Sequence, residues 1–351
     1  MLKIMQNLTQ NNVHNYFKLN GYHLNAKDLC RVAYSYIKEG DAYEQSIGEF
    51  FLDWFDKKDY IEMTTSGTTG LPKLVRLKKQ AMIQSALATG DFFGLEPGDK
   101  ALLCLPTQFI AGKMMLVRSL ILGLELDVVS PSLHPLQFNT TTYDFVAMVP
   151  LQVQNSIDGL SKVRKLIIGG AKLDSALEEK LLPLKTEIYE TYGMTETITH
   201  IAAKRLGDSV FSILPNVKIS QDDRQCLVIH VATISDEPIV TNDLVELVNE
   251  QQFKFLGRID NVINSGGVKL IPEQIEAKLT GKIANRFFVT GLPDTTLGEK
   301  LVLVIEGEKQ EFEPDFFDVL GKYEKPKEIV FVSKFKENEN GKLLRKPTLQ
   351  E

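Results

Sequence analysis

Residues 64–73 read Thr-Thr-Ser-Gly-Thr-Thr-Gly-Leu-Pro-Lys, a crowd of hydroxyls and glycines closed by a lysine. Glycines let backbone N–H groups approach an anion closely, hydroxyls add donors without charge, and lysine brings a point charge on a long stem. That combination suits phosphate. The stretch is not the P-loop G-x-x-x-x-G-K-[ST]: Lys73 follows Pro72 and precedes Leu74, so no hydroxyl stands where a magnesium ligand belongs. The plain alternative is a Gly/Thr-rich turn that binds nothing.

Four later stretches have the same density of reactive residue types. Tyr192-Gly-Met-Thr-Glu-Thr197 places a ring, hydroxyls and a carboxylate together. Thr241-Asn-Asp243 is a short polar run, and residues 255–276 carry Arg258, Asp260 and the glycine pair 266–267. Asn340–Arg345 closes the set with Gly341-Lys342. Taken singly, each has an ordinary reading. Tyr192 would be core, Glu196 a surface carboxylate, Arg258 and Asp260 a weak surface ion pair, and Lys342 a solvated lysine.

The elements that must hold these residues alternate between strand and helix. Asn25 caps a helix expected over 25–40, with Leu29, Val32, Ala33, Tyr36 and Ile37 on one face and Gly40 as its stop. A second helix is expected over 44–57. "YIEMT" and "KLVRL" read as strands on either side of the Gly/Thr loop, and 79–93 as a helix. "KALLCLP", "DFVAMVP", "KLIIGG" and "TEIYETYG" read as strands, "KMMLVRSLILG" and "DSALEEKLL" as helices. This pattern predicts an α/β domain with a largely parallel sheet and ligands at the strand ends. After residue 259 the texture becomes α+β: helices at "PEQIEAKLT" and 313–321, strands at "RFFVTG", "KLVLVIEG" and "EIVFV". The expected division is a large α/β domain over 1–259 and a small, mobile α+β domain over 260–351.

Composition narrows the classes. Hydrophobic residues make up 43% and charged residues 25% of the 351, and the net charge is −6. A soluble globular protein fits, and nothing draws it electrostatically to nucleic acid. The most apolar window, 114–129, is broken by Arg118, Glu125 and Asp127, so no membrane insertion is expected. Three scattered cysteines, with no signal-peptide core at the N-terminus, point to a reducing cytoplasm. Monomer and dimer both remain open.

Taken in order, the stretches resemble the adenylate-forming superfamily of acyl-CoA synthetases, luciferases and peptide-synthetase adenylation domains, across residues 60–351. The resemblance implies the joining of a carboxylate to ATP, two anions, so that charge neutralisation is the main demand. It implies that Thr64, Thr65, Ser66, Gly67, Thr68, Thr69, Gly70 and Lys73 hold the β- and γ-phosphates. Thr195 would touch the α-phosphate, and Glu196 would hold Mg²⁺, a hard cation preferring oxygen. Tyr192 would stack on adenine, with Gly169, Gly170 and Ala171 on the other side. Asp243 would accept from the ribose hydroxyls, supported by Arg258. Asp260 matches the hinge, and Lys342 the lysine that reaches the α-phosphate and carboxylate during adenylation. Gly266 and Gly267 match a segment that lines the pantetheine tunnel for CoA; a tight turn needing positive φ is the plain reading, and the two are compatible.

Departures from the family pattern are specific. Asn242 replaces a commoner glycine in Thr-Gly-Asp, the threonine before Gly-Lys is missing, and only residues 1–63 precede the phosphate loop. A reduced N-terminal subdomain is expected. The closest branch by resemblance is the compact o-succinylbenzoate–CoA ligases of menaquinone synthesis, in which Leu-Pro is followed by His-Ile-Ser-Gly. Here Phe109, Ile110, Ala111 and Gly112 stand at those four positions. The branch implies an aromatic dicarboxylic acid whose second carboxylate needs a polar or cationic partner. Phe109, Lys113, Thr199 and His200 are candidates for the acyl pocket, with Arg118 beside them. For Lys113 and Arg118 the plain alternative is a solvated helix face, which is the preferred reading of Arg118. Two other functions fit the same motifs: a stand-alone aryl-acid adenylation enzyme that loads a carrier protein, and a non-catalytic homologue that binds ATP or acyl-AMP.

Overall fold

The computed structural model describes residues 8–65, 73–137, 139–171, 173–337 and 343–349. In chain order the elements begin with β1 (Lys18–Leu19), β2 (Tyr22–His23), α1 (Ala26–Glu39) and α2 (Ala42–Phe55). There follow β3 (Tyr60–Thr65), β4 (Lys73–Lys78), α3 (Lys79–Phe93), β5 (Lys100–Leu103), α4 (Ile110–Leu122), β6 (Glu125–Val128) and β7 (Tyr143–Met148). Next come α5 (Pro150–Gln154), β8 (Val163–Ile168), α6 (Ser175–Leu181), β9 (Glu187–Gly193), β10 (His200–Arg205) and β11 (Phe211–Ile213). The remainder is β12 (Lys218–Gln221), β13 (Cys226–His230), β14 (Ile239–Asn249), β15 (Gln252–Arg258), β16 (Ile263–Ser265), β17 (Val268–Leu270), α7 (Pro272–Leu279), β18 (Phe287–Asp294), β19 (Gly298–Glu306), β20 (Glu328–Val332) and α8 (Arg345–Thr348).

Two compact units divide the chain. The first holds the described residues within 1–173, 177–218 and 230–239, the second those within 174–176, 219–229 and 240–351. In the first unit the strands lie in the order β11-β10-β9-β8-β7-β5-β6-β1-β2. From β9 to β1 the neighbours run parallel, and β10, β11 and β2 are antiparallel additions. Helices supply the cover that a parallel sheet needs on its faces. Leu29, Phe50, Phe51, Trp54, Met114, Leu116 and Phe145 are among the residues of one buried cluster, and Leu102, Val146, Leu166 and Ile188 of a second. The α1 start follows from Asn25, whose side chain accepts from the Lys27 and Asp28 N–H groups at 2.9 and 3.1 Å. β3 and β4 form a separate antiparallel hairpin, with Thr64 opposite Leu74 and Thr65 opposite Lys73.

The second unit contains β12-β13-β14-β15 as neighbours and a smaller sheet, β17-β16-β19-β18, with β20 parallel to β19. One departure from expectation lies here. Residues 313–321 form successive turns rather than a helix, with Phe316, Asp318 and Leu320 N–H groups each bonding three residues back. Phe312, Phe316 and Phe317 instead pack against one another into the smaller core, Phe316 and Phe317 edge to face and Phe312 tilted against both, and successive turns let all three rings face that core.

Candidate active site

In the first unit the chain brings two of the motifs together. β8 and β9 are parallel neighbours, with Ile168 opposite Glu190. Gly169, Gly170 and Ala171 follow the carboxyl end of β8, while Tyr192 is the last residue but one of β9 and Thr195–Thr197 form a short 3₁₀ turn just after it. Carboxyl ends of adjacent parallel strands are the usual ligand crevice of α/β sheets. The backbones are packed too tightly for side chains. A Cβ on Gly169 would lie 2.8 Å from Thr191 Oγ1, and one on Gly193 would lie 2.3 Å from Thr199 O. Tyr192 is half-buried and meets the Phe211 ring edge to face at 5.9 Å.

The turn itself is strained. Thr197 Oγ1 accepts from the Met194 N–H at 2.9 Å, and the Thr199 N–H donates to Thr197 O at 2.7 Å. That closes a γ-turn on Ile198, a buried β-branched residue at φ 66°, ψ −56°. Such a conformation is costly and marks sites where the surroundings over-determine the backbone. Its effect is to turn Glu196 out to solvent and Thr199 and His200 inward. Among the described residues no group of three or more His, Cys, Asp or Glu side chains converges to hold a metal. A lone exposed carboxylate at Glu196 fits Mg²⁺, which takes most of its ligands from water and phosphate oxygens rather than from a protein cage.

Behind the turn lies a buried polar cluster. Arg118 on α4 is 2% exposed and His200 on β10 is 6% exposed. Arg118 Nη2 donates to Thr199 Oγ1 at 3.2 Å and faces His200 Nδ1 at 3.5 Å; Nη1 reaches Met115 Sδ at 3.6 Å. Its Nε has no hydrogen-bond partner among the described residues. Because the guanidinium can only donate, His200 Nδ1 is the acceptor, which leaves Nε2–H facing Thr89 Oγ1 at 3.3 Å; Thr89 in turn donates to Ser85 O at 2.9 Å. Burial, then the Arg118 charge, pushes the His200 pKa well down, so the imidazole is neutral. Burial alone pushes Arg118 down to about 9, which still leaves it charged at neutral pH. No ion pair to Arg118 is found among the described residues, so none of them compensates its charge. The preferred expectation of a solvated helix face for Arg118 is therefore corrected: α4 is buried nearly all round, and this arginine points inside. Lys113, by contrast, is half-buried with its Nζ 5.3 Å from the centre of the Phe50 ring, and burial lowers its pKa. Phe109 is the 41%-exposed N-cap of α4. Thr89 escaped sequence reading; its only signal is a hydroxyl inside the apolar run of α3.

In the second unit, β14 and β15 place Asp243 opposite Arg258. Asp243 is buried, its N–H donating to Thr241 Oγ1 at 3.1 Å, and Arg258 Nη1 stands 3.7 Å from its carboxylate. Arg258 Nη2 also bonds Asp260 at 3.0 Å, in the short 3₁₀ turn Ile259–Asn261. Gly266 and Gly267, at φ 57° and 82°, make the two-residue turn between β16 and β17, where Ser265 pairs with Val268. Ser66, Gly67, Thr68, Thr69, Gly70 and Lys342 lie outside the described residues, as do the side chains of Thr65 and Lys73; Thr64 is described and exposed. The chain just beyond Lys342 is firmly held. Arg345 bonds Glu276 at 2.7 Å and Val289 O at 2.5 Å, with its guanidinium over the Phe288 ring.

The AMP-binding enzyme family model matches residues 40–227, more than half of the chain. The 2-succinylbenzoate–CoA ligase of Lactococcus lactis is 26% identical over 324 residues, spanning 84% of this chain and 71% of that protein. Among solved structures, an acyl-CoA synthetase (AMP-forming)/AMP-acid ligase II-like protein from Dyadobacter fermentans is 35% identical, with a TM-score of 0.63 over 92% of this chain and 97% of its own. O-succinylbenzoate coenzyme A synthetase from Bacillus subtilis, solved with ATP and magnesium, shares the fold at a TM-score of 0.70 and 23% identity, over 82% of this chain and 69% of its own.

Proposed function

Since the chain belongs to the AMP-binding enzyme family, we propose that it is an ATP-dependent acid–thiol ligase acting on o-succinylbenzoate with CoA as acceptor. The observation that carries the chemistry is the pairing of the 169–171 and 192–196 segments at the carboxyl ends of β8 and β9. The acid is supported by the names of the relatives and by the buried Arg118 cation, which has no carboxylate partner among the described residues and suits the second carboxylate of a dicarboxylic acid.

In the first half-reaction a carboxylate oxygen of the acid attacks the α-phosphorus of ATP, the bond to the β-phosphate oxygen breaks, and pyrophosphate leaves. Thr64–Gly70 and Lys73 would hold the departing phosphates. Tyr192 and Gly169–Ala171 would enclose the adenine, and Asp243 with Arg258 the ribose. Thr195 would donate to the α-phosphate. Bound Mg²⁺ at Glu196 would neutralise phosphate charge. Lys342 would offset the repulsion between carboxylate and phosphate, an electrostatic contribution typically of several kcal/mol in a dry site. In the second half-reaction the CoA sulfur attacks the acyl carbon and AMP leaves with the electron pair of the broken C–O bond. Rotation about Asp260 of a small domain, 260–351, relative to 1–259 would exchange Lys342 for the Gly266–Gly267 turn beside a pantetheine arm. Among the described residues no helix is long and apolar enough to cross a membrane, which is compatible with a cytoplasmic enzyme.

The test is thioester formation from ATP, Mg²⁺ and CoA across a panel of o-succinylbenzoate, benzoate, salicylate and palmitate. The expected result is the fastest turnover with o-succinylbenzoate. Palmitate turned over as fast or faster would sink the substrate assignment, and adenylate formation without thioester would favour carrier-protein loading.

A further inference from the structure

The departure from Thr-Gly-Asp at 241–243 has a structural counterpart. Asn242 lies on β14 one residue before Asp243, and its Nδ2 donates to both carboxylate oxygens of Asp260, at 3.2 Å each. The amide is fixed from its other end: Arg224 Nη1 donates to Asn242 Oδ1 and Nη2 to Thr241 O, both at 3.1 Å. An oxygen facing a guanidinium and an NH₂ facing a carboxylate leave a single consistent orientation. Arg224 is itself held by Asp222, Nε to Oδ2 at 2.8 Å. On the far side of Asp260, Arg258 bonds the same carboxylate at 3.0 Å. The next residue, Asn261, donates instead to Glu273 on α7 at 2.5 Å. Residues 260 and 261 are thus tied to different elements, one to β14 and one to α7. A glycine at 242 would remove the first tie.

We infer that Asn242 is a latch on the hinge, a positioning residue that holds Asp260 against β14 until rotation breaks both hydrogen bonds. The inference deepens the ligase reading and rests on Asp260 as the hinge. Asp260 is half-exposed, so the bonds are of the kind that break and re-form readily rather than a permanent anchor.

The experiment compares wild type, Asn242→Asp, Asn242→Gly and the double variant Asn242→Asp/Asp260→Asn, each as the full chain without ligand. Aspartate keeps the shape of Asn242 but removes both donors and sets two carboxylates face to face. The double variant restores the pair with donor and acceptor exchanged, a rescue that general loosening cannot produce. Amide hydrogen exchange across 259–262 should quicken roughly three- to tenfold in both single variants, the scale of partly exposed charge-assisted hydrogen bonds. It should return to within about twofold of wild type in the double variant. Unchanged exchange in Asn242→Asp, or a double variant no closer to wild type than the single one, overturns the latch. If exchange behaves as expected while no acid supports pyrophosphate release, the latch stands and it is the ligase reading that fails.

Discussion

Two arginines frame the molecule's electrostatics in opposite ways. Arg118 in the first unit is almost fully buried, bonds only neutral partners and has no carboxylate among the described residues. Arg258 in the second unit is 41% exposed and sits between two carboxylates, Asp243 and Asp260. An exposed ion pair contributes about 0–1 kcal/mol and is easily exchanged. A buried charge without a counter-charge is a standing cost to stability, retained where the charge has something to do. In the proposed reading the buried region serves selection and the exposed one movement. The proposed roles follow that division: Arg118 chooses the acid, while the Asp243–Arg258–Asp260 network couples ribose binding to the hinge.

The largest expected effect concerns Lys342. Lys342→Ala should slow acyl-AMP formation roughly 10²-fold or more. It should leave conversion of synthetic acyl-AMP and CoA to thioester near the wild-type rate, measured by single turnover. Equal loss of both half-reactions would break the division between a side that moves and a side that selects.

The next effect sharpens the division. Arg118→Met should raise KM for o-succinylbenzoate roughly 10- to 100-fold, the equivalent of one lost charge-assisted interaction of about 1.5–3 kcal/mol. Benzoate should be affected little, and the ratio of the two half-reactions should not change. Replacing this buried charge by a residue of similar volume should also raise stability, by about 1 kcal/mol in urea unfolding. A loss of stability with KM unchanged would make Arg118 a structural residue.

The smallest effect concerns His200. Its folded-state pKa is depressed below the ordinary 6.5 by burial and by Arg118. The unfolded chain therefore binds a proton that the fold refuses. This contribution is fully present above pH 6.5 and is lost as pH falls below it. Between pH 7.5 and 5.5 the wild type should lose more stability than His200→Gln, on the order of 1 kcal/mol. Parallel stability–pH curves for the two proteins would mean that water reaches the imidazole and that the region is not dry.

Legibility in the sequence followed the same physical lines. The helices α1 and α3 and the parallel strands β5, β7, β8 and β9 announce themselves through caps, periodicity and apolar runs. The antiparallel strands β10–β15 do not, because they are short or mixed in character and their pairing is tertiary. α4 misled for a different reason: a helix apolar on every side gives no face to read, so a single arginine on it looks solvated when it is enclosed. The Ile198 γ-turn had no signal at all, since a β-branched residue is the least expected occupant of positive φ. Asn242 was visible as an oddity at a glycine position, but its partner lies 18 residues further on and only the fold brings them together.

The central claim is that an acyl-adenylate forms before any thiol takes part. Isotope exchange between pyrophosphate and ATP, measured with Mg²⁺ and o-succinylbenzoate but no CoA, tests it most directly. The expected result is exchange that depends on the acid, is lost in Lys342→Ala and saturates at higher acid concentration in Arg118→Met. Exchange that appears without acid, or that requires CoA, would contradict the account.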